Sequence, residues 1–482
     1  MATTWLCISP SQRSDATTPT VATTGNLLWR KLAIAVAVAS MAAVTSAHGD
    51  DHEAMGMAAG TLPEDAPLYR WPEDPMGWAL KVHLALCLIA YVLILPTALI
   101  MELANNKFHP LVQIGGALVG FLGIVFGWVN GHLGNAYARF GWFMLSLLVV
   151  QTAANVCFTL GLLKKSSQKL RTWYRVLGCF QIAFTYVAMV LGVIRYLNLC
   201  SQGHLGQCIS HFARGSALIA GGITLLFFLR LYGAAMLDVR RPPELFISII
   251  MTIVGVIGTF TEHNFFQSSA NAEESWSHKD LQHTFIGISW FAGGLLSIFM
   301  SWNAHPRNRT PIPSLIFIAT GIAMIIHQQD LAMSSHAHFL FGASLVLLGL
   351  STICEITMLA SGIVKDRDSP MGIQYLSVFF MCSSGMALMG ANRDMILFLI
   401  NSGVDVATYA LILLSFCFLM IFYANVLVDA FIAMAGPAEP KYDSLESGVD
   451  EASQRTSTSS QTLSPRPEGG SKYSISSDPL SA

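Results

Sequence analysis

Residues 211–232 read HFARGSALIAGGITLLFFLRLY, an apolar run opened by an imidazole and closed near Arg230. A stretch of about 20 apolar residues is long enough to cross a bilayer as a helix, and in lipid an isolated segment satisfies its own backbone groups only as a helix. Comparable runs recur from Trp78 to Ile432. They predict about eleven spans, at roughly 78–101, 110–129, 138–162, 174–198, 212–236, 244–262, 284–302, 314–330, 338–361, 371–391 and 406–432. The fold class is therefore an all-α polytopic membrane protein of antiparallel helix bundles, one at 78–236 and one at 244–435. Charged residues are 12% of 482 and hydrophobic residues 53%, with a formal net charge of −2. A soluble chain of this size needs more charge to cover its surface. The expected partner is the lipid bilayer, and no basic patch points to nucleic acid.

Arg30 and Lys31 precede the apolar run LAIAVAVASMAAV, and Thr45-Ser46-Ala47 supplies small residues for cleavage. Residues 1–47 thus read as a leader and signal peptide, with an uncleaved anchor as the alternative and a mitochondrial transit peptide as a further one. Segment 48–77 would then be lumenal; its HEAMGM offers imidazole and thioether, donors that suit copper. Basic residues such as Lys164, Lys165, Lys169, Arg171, Arg240 and Arg241 collect in alternate connections, the cytosolic ones by the positive-inside rule. The chain is expected in the secretory pathway, in an endomembrane or plasma membrane, with a cytosolic carboxy terminus. Residues 436–482, rich in Ser, Pro and Gly, read as a disordered cytosolic tail. The sequon Asn308-Arg309-Thr310 falls in a cytosolic connection, where it stays unmodified. Cys200 and Cys208 fall in a lumenal one, where they are expected to pair, two free thiols being the alternative.

The opening stretch belongs to a set. His211, Gly215 and Gly222 have the spacing H-x3-G-x6-G, which recurs at His283, Gly287 and Gly294 and at His338, Gly342 and Gly349. At 3.6 residues per turn all three residues of each motif share one helical face. Either the glycines let neighbouring helices approach closely, or they make room for a flat group such as haem whose iron the histidines ligate. Most histidines fall on the lumenal side. Glu262 with His263, and His327 with Asp330, are pairs that could each share a site, and His336 and His338 add two nearby imidazoles; with His283 these are the candidate metal ligands, because ionisable groups at membrane depth are functional candidates. Separate solvated histidines are the alternative. Glu355, inside a span, is either a proton-relay carboxylate or a group paired with another helix.

The stretches GHLGQCISHFARGS, SHKDLQHTFIGISWFAGG and HPLVQIGGALVGFLGIVFGWV resemble the fungal YTP-type integral membrane proteins, whose amino half is similar to the four-helix core of cytochrome b-five-six-one and the ferric reductases. That resemblance implies fold, fungal origin and endomembrane location. By the cytochrome comparison His83 and His109 match the first two ligand positions for b haems, while Tyr137 and Tyr174 stand where the other two histidines are expected; His132 and His211 are further candidates. The cofactor is thus haem b or a copper, zinc or iron ion, and a small redox donor is a possible partner. Three functions follow as expectations: a transmembrane oxidoreductase of the ferric reductase type with degenerate ligands, a metal- or proton-coupled transporter, or a non-catalytic membrane scaffold. No phosphate-binding loop, nucleophile elbow or dinucleotide fingerprint is present.

Overall fold

The structure, a computed structural model, describes residues 77–435 except 130–135, 163–167, 201–204, 234–241, 262–277, 303, 305–308, 328 and 362–369. The expected signal peptide, segment 48–76, the sequon's Asn308 and the tail lie outside the described residues. Among the described residues every regular element is helical. The first span runs from α1 (Trp78–Cys87) through a π-helical segment (Leu88–Ile94) into α2 (Leu95–Leu103). There follow α3 (His109–Val129), α4 (Ala136–Thr159), α5 (Gln168–Tyr196), α6 (Leu205–Tyr232), α7 (Pro243–Thr261) and α8 (His278–Ser301). The remainder is α9 (Ile312–Ile325), α10 (Ala332–Ala360), α11 (Gly372–Gly390), α12 (Arg393–Asn401) and α13 (Val406–Ala435). Ten of these are long and apolar enough to cross a bilayer, whereas α9, the expected eighth span, has only 14 residues. The chain is a multi-pass membrane protein, and Phe299, Leu411, Phe418 and Phe422 are exposed on its lipid-facing surface.

Local signals end the helices. Gly161 turns with φ 68° after α4, and the Leu162 amide closes back on the Cys157 carbonyl at 3.0 Å, a left-handed cap that glycine adopts without strain. Asn198 does the same after α5 with φ 50°, and the Leu199 amide returns to Ile194. The chain then enters a disulfide between Cys200 and Cys208. That bond ties the end of α5 to the first turn of α6, one turn before His211.

The carboxy-terminal bundle is assembled from close helix pairs: α6 on α11, α7 on α8, and α9 on α10. Each pair contains one helix with the H-x3-G-x6-G motif. A Cβ at Gly215 would lie 2.5 Å from the Gly385 carbonyl oxygen, and one at Gly342 2.5 Å from that of Gly321. At Gly287 the obstacle is the Thr259 amide at 2.6 Å, and at Gly349 the Ser314 carbonyl at 2.6 Å. These glycines therefore let backbones touch, the small-residue packing typical of membranes, and leave no room for a flat group on that face. The fifth span, grouped by sequence with residues 78–236, packs on α11 of the later bundle. Leu345, Leu348, Met251 and Phe317 form the core between the pairs.

Gly342→Ala should lower the thermal unfolding midpoint of detergent-purified protein, a cost of about 1–3 kcal/mol for overpacking. Gly115→Ala, whose Cβ meets nothing within 4 Å, should leave the midpoint unchanged.

Candidate functional site

The glycine contacts sit four residues inside each motif, so they fix how close the histidine-bearing helix ends come. His211, His283 and His338, from the second turns of α6, α8 and α10, converge with His327, which follows α9. All four are buried. Ring centres lie 5.0 Å apart for His283 and His327, 5.6 Å for His327 and His338, 6.2 Å for His211 and His338, and 6.5 Å for His211 and His283. The Nε2 atoms of His283 and His327 are 3.3 Å apart.

Hydrogen bonds set the tautomers. His211 Nδ1 is 2.8 Å from the Gln207 carbonyl and His338 Nδ1 is 2.8 Å from the Ser334 carbonyl. His327 Nδ1 contacts Gln282 Oε1, and the Gln282 amide nitrogen donates to the Ala323 carbonyl at 3.2 Å, which fixes the amide's orientation. A carbonyl oxygen only accepts, so in these three rings the proton sits on Nδ1 and the lone pair on Nε2. A cavity of about 40 Å³ adjoins the rings of His211, His283 and His338 and is lined also by Arg214 and Met324. One water needs about 10–15 Å³ by the same kind of measure, so the space suits an ion-sized guest.

The amino half arranges its candidates differently. His83 Nδ1 donates to the Gly123 carbonyl at 2.7 Å, and its Nε2 accepts from the Tyr137 hydroxyl at 2.8 Å. His83 and Tyr137, which the cytochrome resemblance placed at haem-ligand positions, are joined to each other by a hydrogen bond. Axial ligands on opposite faces of one iron stand about 4 Å apart, twice a metal–imidazole bond of about 2 Å. The His83–Tyr137 contact does not fit a haem between them. His109 contacts Glu102 through Nε2 at 2.8 Å and the Asn106 carbonyl through Nδ1 at 3.0 Å, while Tyr174 donates to Gln113. Arg171 and Arg175 complete the Glu102 cluster at 2.9 and 3.1 Å. His336 and Asp330 are exposed, away from the imidazole cluster's buried interior. Glu262, His263 and His132 lie outside the described residues.

Two family models match the chain. Protein YTP1-like, C-terminal, matches residues 184–431, which hold all four clustered histidines and all six motif glycines. The chain belongs to the YTP1-like family. A domain of unknown function, DUF2427, matches residues 68–161, including His83, His109 and Tyr137. Among curated proteins, Protein YTP1 of Saccharomyces cerevisiae is 31% identical over 396 residues, covering 78% of this chain and 82% of the yeast protein. Uncharacterized membrane protein C3B8.06 of Schizosaccharomyces pombe is 21% identical over 456 residues, covering 67% of this chain and 87% of its own length. No solved structure matches.

Glu355 of this YTP1-like chain sits near the opposite end of α10 from His338. It accepts from Arg309 at 3.3 Å and from Gln374 at 3.1 Å, and Arg309 also pairs with Glu244 at the start of α7. Arg309, Glu244 and Gln374 were not singled out in the sequence, although a glutamate on the second residue of α7 beside Pro243 was a visible signal. Removing one partner of a buried ion pair costs about 3–5 kcal/mol. Arg309→Met, which strands two buried carboxylates, should therefore lower the thermal midpoint well below that of Glu355→Gln, a comparison made by unfolding both variants in detergent.

Proposed function

We propose that this YTP1-like protein holds one transition-metal ion through His211, His283, His327 and His338, on the lumenal side of its membrane. The observation that carries the reading is the 3.3 Å separation of His283 Nε2 and His327 Nε2. Two nitrogens bonded to one tetrahedral ion at about 2.0–2.1 Å are themselves about 3.3 Å apart. Imidazole rings around such an ion have centres about 5.2 Å apart, against 5.0 to 6.5 Å for the four measured pairs. Among the described residues no three ligand side chains are drawn in to full metal-holding distance. Inward movement of the outer rings by about 1 Å supplies the rest of the geometry. The carbonyl acceptors on Nδ1 of His211, His327 and His338 are the outer-sphere contacts that present Nε2 to a metal.

Imidazole suits zinc, copper, iron and nickel. The charge of Arg214 on the same cavity raises the cost of a dication, and the Met324 thioether beside it is a soft donor. Both favour copper(I), with zinc(II) as the second ion. This is a binding role suited to carriage, sensing or storage of the metal. Electron transfer across the membrane would need a further centre, and the positions expected to supply it are engaged in the hydrogen bonds around His83 and His109.

Copper and zinc content of detergent-purified protein tests the proposal, with circular dichroism as the fold control. Wild type should carry about one ion per chain, and His211→Ala/His338→Ala should carry none while keeping its helicity. Gln282→Leu should weaken affinity about 10- to 100-fold by releasing His327 from its acceptor. Wild type free of both metals, or a double variant that retains its ion, would contradict it.

A further inference from the structure

A second site lies in the amino half, independent of the imidazole cluster. A cavity of about 410 Å³ opens among α1, the π segment, α3, α4 and α5. That volume falls in the range of about 300–1,000 Å³ typical of small-molecule pockets. Its lining holds no Asp, Glu, Lys or Arg. Leu88, Trp142, Met189 and Val193 belong to this wall and are also exposed on the outside of the bundle, so the mouth opens sideways, toward lipid.

Two features point to an occupant with a polar head. Tyr91, at the middle of the π-helical segment, is 8% exposed, and its hydroxyl is buried with no hydrogen-bond partner. A buried hydroxyl left unpaired costs about 1–3 kcal/mol. The π segment is the second feature: such insertions are rare and cluster at functional positions. It presents Leu88, Tyr91 and Val92 to the cavity, while the Val92 carbonyl is met by the Tyr423 hydroxyl of α13. Thr185 lines the same cavity and gives its proton to the Gln181 carbonyl at 2.9 Å, so its oxygen remains an acceptor. Tyr137 likewise spends its proton on His83.

We infer that this cavity binds a neutral membrane lipid whose polar part is a single hydroxyl, the sterol class. A hydroxyl accepts from Tyr91 and donates to Thr185, whereas a charged headgroup finds no counter-charge in the wall. Trp128 and Trp142, stacked with ring centres 4.8 Å apart, supply a flat apolar wall for a rigid ring system. Tyr91 and Thr185 also border a smaller cavity of about 20 Å³, with room for one water. A water there is the competing partner for the Tyr91 hydroxyl, and the experiment separates the two.

The test is saturable binding of a fluorescent polyene sterol to the full-length purified protein, read as energy transfer from the cavity tryptophans. Wild type should bind. Tyr91→Phe, which keeps the ring and removes the oxygen, should bind about five- to tenfold more weakly. The corresponding 3-keto sterol, which cannot donate to Thr185, should compete less well than the alcohol. Gly141→Phe should abolish binding without unfolding the protein, because a Cβ at Gly141 meets nothing within 4 Å. Absence of saturable binding would overturn the proposal, as would binding that survives Gly141→Phe. Equal affinity of Tyr91→Phe and wild type would assign the Tyr91 hydroxyl to water and remove the sterol-head assignment.

Discussion

A polar side chain inside a lipid-embedded bundle must find its partner within the protein, because the surrounding hydrocarbon offers none. That constraint organises this molecule. Among the described residues, buried ionisable groups form three clusters, with His83 and Asp394 apart from them: Glu102 with His109, Arg171 and Arg175; Arg309 with Glu244 and Glu355; and the four imidazoles of His211, His283, His327 and His338. The first two clusters match carboxylates with cations and explain themselves as interhelical ties. The third gathers four imidazoles. Three of the ring protons are turned outward to carbonyl oxygens, and His283 Nε2 donates to His327 Nε2 at 3.3 Å. A cation shared by the four rings is the role we propose for this cluster.

The glycines make the convergence possible. Backbone contacts at Gly215 with Gly385 and at Gly342 with Gly321 hold the helix pairs at the smallest spacing a helix allows. A larger residue at those positions would move each histidine outward with its helix. The disulfide between Cys200 and Cys208 adds an anchor one turn from His211. The motif is thus one device with two parts: small residues that set the spacing, and an imidazole one turn away that uses it.

The repeated motif, the membrane architecture and the pairing of the two cysteines were all legible in the sequence, because helical periodicity and apolar length are local properties. The sequence also placed His327 with the candidates, but beside Asp330, which the structure leaves exposed. Three-dimensional convergence was not legible: nothing in the spacing of His211 and His283 says that α6 and α8 meet at one end. The two readings of the motif were posed as rivals, glycine for packing or histidine for ligation, whereas the geometry assigns packing to the glycines and leaves the histidines a separate role. Arg309 was invisible for a different reason. It lies between α8 and α9 inside the sequon, close to Arg307, where a cation reads as a solvated loop residue, and only folding carries it to Glu244 and Glu355. The π segment left no signature either, since LIAYVLI is an ordinary apolar run in composition.

The central claim is that four imidazoles share one ion, and X-ray absorption at the metal edge of the purified protein addresses it directly. The account predicts a first shell dominated by nitrogen at about 2.0–2.1 Å with the outer-shell scattering of imidazole rings. A first shell of sulfur or of carboxylate oxygen would contradict it.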